Sequence, residues 1–215
     1  MGNVTISHFT AAIFDMDGTM IQNMAYHTRA WRDFVNRYDI DITDGNLWKA
    51  ISGKKNTAIL ASLFSRELTA REVTAYSEEK EAIYRELYRE HIEEVEGLSV
   101  FIDTLHKLGL RTAIATTSPK KNYTFVLNSL GLMEKFEVIL GDEDVKHGKP
   151  NPEIYKKTAA ALGVSPSDCI AFEDSPPGVQ SAKRAGMTVV GIVTSHAPDE
   201  LQGADYTVAN FTELM

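Results

Sequence analysis

With 215 residues, 43% hydrophobic and 24% charged, the chain has the size of one compact domain, or of one domain carrying a smaller insertion, and an ordinary globular composition. Disordered, fibrous and collagen-like architectures are excluded. There are 30 acidic against 22 basic residues, and the formal charge of −8 has the wrong sign for gripping a nucleic-acid backbone by bulk attraction. The single cysteine, Cys169, allows neither an intrachain disulfide nor a thiolate cluster and favours a reducing compartment. The first residues lack the pattern of a secretory signal, and no window approaches the ~20 apolar residues of a membrane helix. The expectation is a soluble, cytoplasmic monomer that binds neither nucleic acid nor membrane.

In chain order, apolar runs at Phe9 to Phe14, Arg111 to Thr116, Phe136 to Leu140, Cys169 to Phe172, Thr188 to Val193 and Tyr206 to Ala209 read as strands. Helical periodicity near Ser99 to Leu108, Lys120 to Leu130, Pro152 to Leu162 and Val179 to Ala185 alternates with them, which predicts βα units and a parallel sheet. Gly109, Gly131, Gly163 and Gly186 each fall just past a helical stretch, where a left-handed cap favours glycine. Only the interval from about Met24 to Glu94 is helical throughout, as an inserted domain would be. Its acidic stretch from Ser77 to Glu96 reads as a solvated helix face, with Glu81 and Arg85 at i,i+4 spacing.

Chemistry-bearing residues collect where four of the strands end. Asp15-Met16-Asp17-Gly18-Thr19 follows the first strand, and ligands of open parallel sheets sit beyond the carboxyl ends of strands. Asp15 and Asp17 begin on one face, and Gly18 permits a tight turn. Two adjacent carboxylates repel, which a divalent cation between them or a proton on one relieves. Thr116-Thr117-Ser118-Pro119 follows the second strand, with Ser118 expected as helix N-cap and Pro119 at the first helical position. Such a helix start makes an anion pocket from hydroxyls and backbone N–H groups. Lys149 follows the third strand, immediately before a proline-started helix, and Glu173-Asp174 ends the fourth in a second acid pair that calls for a cation.

These four segments together resemble the haloacid dehalogenase-like superfamily, whose four motifs correspond to Asp15-Met16-Asp17-Gly18-Thr19, Thr116, Lys149 and Glu173-Asp174. The resemblance is to the branch of β-phosphoglucomutase and small sugar-phosphate phosphatases, given Tyr26-His27 and the run Glu173 to Gly178. It implies a three-layer α/β/α, Rossmann-like core at residues 1–21 and 96–215 and an α-helical cap domain at 22–95. It further implies Asp15 as nucleophile, Asp17 as general acid/base, and Thr116 and Lys149 as holders of the phosphoryl oxygens. Mg²⁺ would be held by Asp15, the Asp17 backbone carbonyl and Asp174, with Glu173 direct or through water. Dehalogenases of the family lack an aspartate at the position of Asp17 and phosphonatases carry a small residue there, so phosphoryl transfer from oxygen is expected.

The substrate is expected to be a small phosphomonoester, chosen mainly by the cap. Thr117 and Ser118 in the core, and Gly53, Lys54, Lys55, Lys80 and His27 in the cap, are the candidate substrate contacts that the resemblance suggests. The arginine that a mutase places in the cap loop to grip a second phosphate is replaced by Asn56, with Lys54 or Lys55 as the residues that could serve instead. Phosphohydrolase is therefore the first expectation and β-phosphoglucomutase the second. A catalytically inactive binding protein of the same fold is the third.

Overall fold

The computed structural model describes residues 4–51 and 55–215. They form two compact units, one made by the chain through Gln22 together with Glu93–Met215, the other by Asn23–Ile92. In chain order, β1 (Ala11–Phe14) precedes four helices, α1 (Met24–Arg37), α2 (Asp44–Ile51), α3 (Asn56–Leu63) and α4 (Ala70–Tyr88), which build the second unit. The first unit resumes with α5 (Leu98–Lys107), β2 (Arg111–Ala115), α6 (Lys120–Leu130), β3 (Val138–Leu140), α7 (Glu153–Leu162), β4 (Cys169–Glu173), α8 (Pro176–Ala185), β5 (Thr188–Ile192) and β6 (Tyr206–Val208). Among the described residues, no helix is long and apolar enough to cross a membrane.

The six strands form one sheet in the order β3-β2-β1-β4-β5-β6, and every neighbouring pair is parallel. A parallel sheet covered on both faces buries its central strands completely, which is why β1 is four consecutive apolar residues, all at 0% exposure. Side chains alternate between the faces. Ala11 and Ile13 join Ala171, Ile154, Tyr155 and Val179 in the core under α7 and α8. Phe14 points the other way and stacks on Phe172, its register partner on β4, at 4.6 Å, with Phe101 of α5, Phe136 and Phe211 around the pair. Cys169 starts β4 as a buried thiol, pushed up to about 11 by burial and by Asp168.

Sequence periodicity located all six strands and the four helices between them; only their boundaries shift. Helix α7 begins at Glu153 and α8 at Pro176, and Gly131, Gly163 and Gly186 are left-handed caps as expected. The acidic stretch is less uniform than a solvated face. Helix α4 ends at Tyr88, Glu81 is buried, and Glu94 accepts hydrogen bonds from Ser99 at the start of α5.

The helical unit has its own core of Trp31, Phe34, Val35, Leu47, Ile59, Leu60 and Leu63. Trp48 remains 36% exposed. Helix α4 starts with a capping box in which Thr69 and Glu72 satisfy each other's backbone N–H groups.

Candidate active site

The order β3-β2-β1-β4 reverses direction between β1 and β4, and open α/β sheets place their ligand crevice beyond the carboxyl ends of the strands at such a point. Both acid pairs lie there. Because Phe14 and Phe172 share a face, their successors Asp15 and Glu173 share the opposite one, the face that α7 covers. The chain then turns sharply. Thr19, Met20 and Ile21 all donate their backbone N–H to the Met16 carbonyl, and Gly18 has a φ of +84°. A Cβ at Gly18 would lie 2.0 Å from Asp174 Oδ2, so only glycine lets the two acidic segments approach this closely.

Asp15, Glu173 and Asp174 are 6%, 0% and 3% exposed, and one carboxylate oxygen from each lies within 4.8 Å of the others. Lys149 answers part of this charge, donating at 2.5 Å to both Asp15 Oδ1 and Glu173 Oε1. Burial lowers an ammonium's affinity for its proton, but the attraction of Asp15 and Glu173 outweighs it and raises Lys149 above the usual lysine range. One cation against three buried acids leaves charge unbalanced. Burial pushes Asp15 well above the ordinary carboxylate range, with Lys149 opposing and Glu173 and Asp174 reinforcing the shift. Asp174 is pushed up to about 7, first by burial and then by Glu173. An all-oxygen donor set carrying this much unbalanced negative charge suits a hard divalent cation.

Lys149 is held rigidly for this task. The Pro150 carbonyl accepts from Arg184, the Asn151 carbonyl accepts from Ser181, and Glu153 receives the N–H groups of Lys146 and His147. Lys149 therefore precedes a three-residue turn into α7 and not the helix itself. Glu173 is enclosed: Tyr155 donates to Oε1 at 2.7 Å and Ser175 to Oε2 at 3.2 Å. A Cβ at Gly178 would lie 1.9 Å from that same Oε2.

Asp17 is not one of the three clustered acids, although its charge adds to the repulsion on Asp15, and Ser118 Oγ donates to its Oδ2. This corrects the reading of Ser118 as N-cap. Pro119 occupies the cap of α6 with extended backbone, and the first helical N–H, Lys120, is satisfied by Glu143 at 3.1 Å. The helix start expected to be free for an anion thus already holds a carboxylate. Thr116 is buried, and its Oγ1 accepts from the Ser118 N–H at 3.0 Å, fixing the loop. Thr117 is half-buried beside it.

The helical unit's expected residues form a network of their own. Lys80, 2% exposed, donates to Glu81 Oε1 at 2.8 Å and lies 2.9 Å from His27 Nδ1, with its ammonium 5.2 Å from the Trp31 ring centroid. Asn56 donates to the same Glu81 oxygen at 2.6 Å. Burial alone would raise Glu81, but Lys80, His27 and Asn56 together pull it down to about 2. Lys80 is accordingly engaged inside the unit, and His27 stacks on Tyr84 at 3.8 Å. Lys55 is the N-cap of α3, while Gly53 and Lys54 lie outside the described residues.

Sequence reasoning assigned no role to Thr19, whose hydroxyl donates to Asp174 Oδ1 at 3.2 Å, nor to Tyr155 or Ser195, which bond Glu173 and Asp174. Thr19 was findable as the hydroxyl that closes the Asp-x-Asp-Gly turn.

Comparison with known proteins agrees with this geometry. Residues 9–186 match the haloacid dehalogenase-like hydrolase family. Validoxylamine A 7'-phosphate phosphatase of Streptomyces hygroscopicus subsp. limoneus is 30% identical over 213 residues, covering 96% of each chain. Beta-phosphoglucomutase of Bacillus subtilis (strain 168) is 28% identical over 95% of this chain and 91% of its own. The crystal structure of beta-phosphoglucomutase from Clostridium difficile superposes with a TM-score of 0.86 at 27% identity, over 96% of this chain and 93% of that one. The family match takes in β1 through α8, with every acid of the cluster and Lys149 inside it, and so the chain belongs to the haloacid dehalogenase-like hydrolases.

Proposed function

We propose that the protein is a Mg²⁺-dependent phosphatase of small phosphomonoesters, sugar phosphates foremost, working through an aspartyl phosphate on Asp15. The observation that carries this is the buried cluster of Asp15, Glu173 and Asp174 around Lys149, with Asp17 held separately by Ser118. The named relatives include phosphatases and a phosphomutase, which supports transfer from a phosphate ester.

Asp15 and Asp174, with the Asp17 backbone carbonyl, would hold the ion; Glu173, already engaged by Lys149, Tyr155 and Ser175, suits contact through water. When bound, Mg²⁺ would offset the acids' repulsion of a dianionic ester and polarise a phosphoryl oxygen. The Asp15 carboxylate attacks phosphorus as the ester P–O bond breaks, and Asp17 gives its proton to the departing sugar oxygen. Asp17 then takes a proton from water, whose oxygen displaces Asp15 and releases inorganic phosphate. Lys149 and Thr116 hold the non-bridging oxygens through both displacements.

The test is an assay with Mg²⁺ on β-glucose 1-phosphate plus catalytic β-glucose 1,6-bisphosphate, beside a phosphate-release screen of sugar phosphates, nucleotides and pyrophosphate. Inorganic phosphate as main product supports the hydrolase. Glucose 6-phosphate forming faster than phosphate overturns it in favour of β-phosphoglucomutase, and a flat result throughout overturns it in favour of a binding protein.

A further inference from the structure

The loop that follows β5 reaches the acid cluster with three consecutive side chains. Thr194 Oγ1 donates to the Gly18 carbonyl, Ser195 hydrogen-bonds the Asp174 carboxylate, and His196 Nδ1 lies 3.0 Å from the Asp174 carbonyl. A carbonyl oxygen only accepts, so Nδ1 carries the ring proton in that contact. The loop is tied to the sheet, with Val193 N–H donating to the Val208 carbonyl at 2.9 Å and Thr194 N–H to the Ile192 carbonyl at 3.0 Å. Space is also short: a Cβ at Gly18 would lie 2.0 Å from Asp174 Oδ2 and 2.6 Å from Ser195 Oγ. Three segments that end three different strands therefore meet at one point.

We propose that Thr194, Ser195 and His196 form a positioning clamp that holds the Asp174 carboxylate and the Gly18 turn in mutual register, so that the affinity of the acid cluster for its divalent cation depends on this loop. This deepens the metal reading above and rests on it. Groups that orient a ligating carboxylate change ion affinity when removed even though they touch neither ion nor substrate. Both partners of the clamp adjoin the proposed metal shell: Asp174 would supply its carboxylate to the ion, and Gly18 directly follows Asp17, whose carbonyl would do the same.

The test uses the full chain and Mn²⁺ alone as probe, titrated by the paramagnetic resonance signal of the free ion, with thermal melts of each metal-free variant. Ser195→Ala and Thr194→Val are expected to bind Mn²⁺ about tenfold more weakly, while Thr194→Ser stays within about twofold of wild type. A merely structural role would lower the metal-free melting temperature and leave the affinity of the folded protein unchanged. Wild-type Mn²⁺ affinity in both loss variants overturns the clamp and leaves the metal site standing. If Ser195→Ala does not fold, Thr194→Val against Thr194→Ser decides alone. Absence of Mn²⁺ binding by wild type at millimolar concentrations overturns the metal reading, and the clamp with it.

Discussion

Tyr155 donates its hydroxyl to Glu173 Oε1 at 2.7 Å, the same oxygen that accepts from Lys149 at 2.5 Å. The buried phenol is itself held well above its usual range, first by burial and then by Glu173 and Asp15, so it remains a donor at any working pH. Tyr155→Phe deletes one oxygen and little volume, leaving the 0%-exposed carboxylate short of a partner. The expected cost is about 1–3 kcal/mol of stability, read from urea unfolding, with a several-fold fall in turnover. Unchanged stability and turnover in this variant rule out a role for the phenol in holding Glu173.

Asp15→Asn and Asp17→Asn are each expected to abolish turnover, for different reasons. The first removes the attacking carboxylate and the second the proton carrier. Stability separates them from folding defects. Burial and neighbouring acids disfavour the charge on Asp15, so Asp15→Asn relieves repulsion and the metal-free protein is expected to melt no lower than wild type. Phosphatase activity retained in either variant removes that residue from the mechanism.

The two acid pairs were legible in sequence because each stands at the end of an apolar run, and a run's end is a strand's end, whereas Lys149, well past β3, was marked by the prolines that follow it. Tyr155 was not, since helical periodicity marks it as core beside Ile154 and says nothing of where its hydroxyl reaches. The Thr194 to His196 segment follows a strand as well, but it carries no acid or glycine to draw notice. Ser118 was misread because local capping preference ignores an acceptor 101 residues away on Asp17. Glu81 was read against Arg85 on an isolated helix, whereas packing of α1, α3 and α4 buries it beside Lys80, His27 and Asn56.

Gly178 offers a steric test of the enclosure around Glu173. A Cβ there would lie 1.9 to 2.2 Å from three atoms of the carboxyl group, so Gly178→Ala must displace either the acid or the start of α8. The expected loss is about 1–3 kcal/mol, with turnover falling alongside because Lys149 loses a fixed partner. Gly45→Ala, in α2, meets nothing within 4 Å and serves as control, expected to be neutral or stabilising by roughly 0.5–1 kcal/mol. Equal behaviour of the two variants contradicts the close approach at Gly178.

Glu81 makes the helical unit's stability depend on acid pH. Its folded value of about 2 lies below the ordinary 4.5, so the folded unit binds the proton less readily than the unfolded chain. The stabilisation is fully present above pH 4.5 and is lost as pH falls through about 2, amounting to roughly 3 kcal/mol over that window. Glu81→Gln keeps the shape without the charge and leaves Lys80 buried opposite a neutral amide, so its deficit against wild type is expected to be largest near neutrality and to shrink as pH drops from 4.5 to 2. Both tryptophans of the chain, Trp31 and Trp48, lie in this unit, so urea unfolding followed by tryptophan fluorescence reports on it selectively. A deficit that stays constant across that pH range means that Glu81 titrates normally in the folded unit and that the pairing with Lys80 carries no net charge stabilisation.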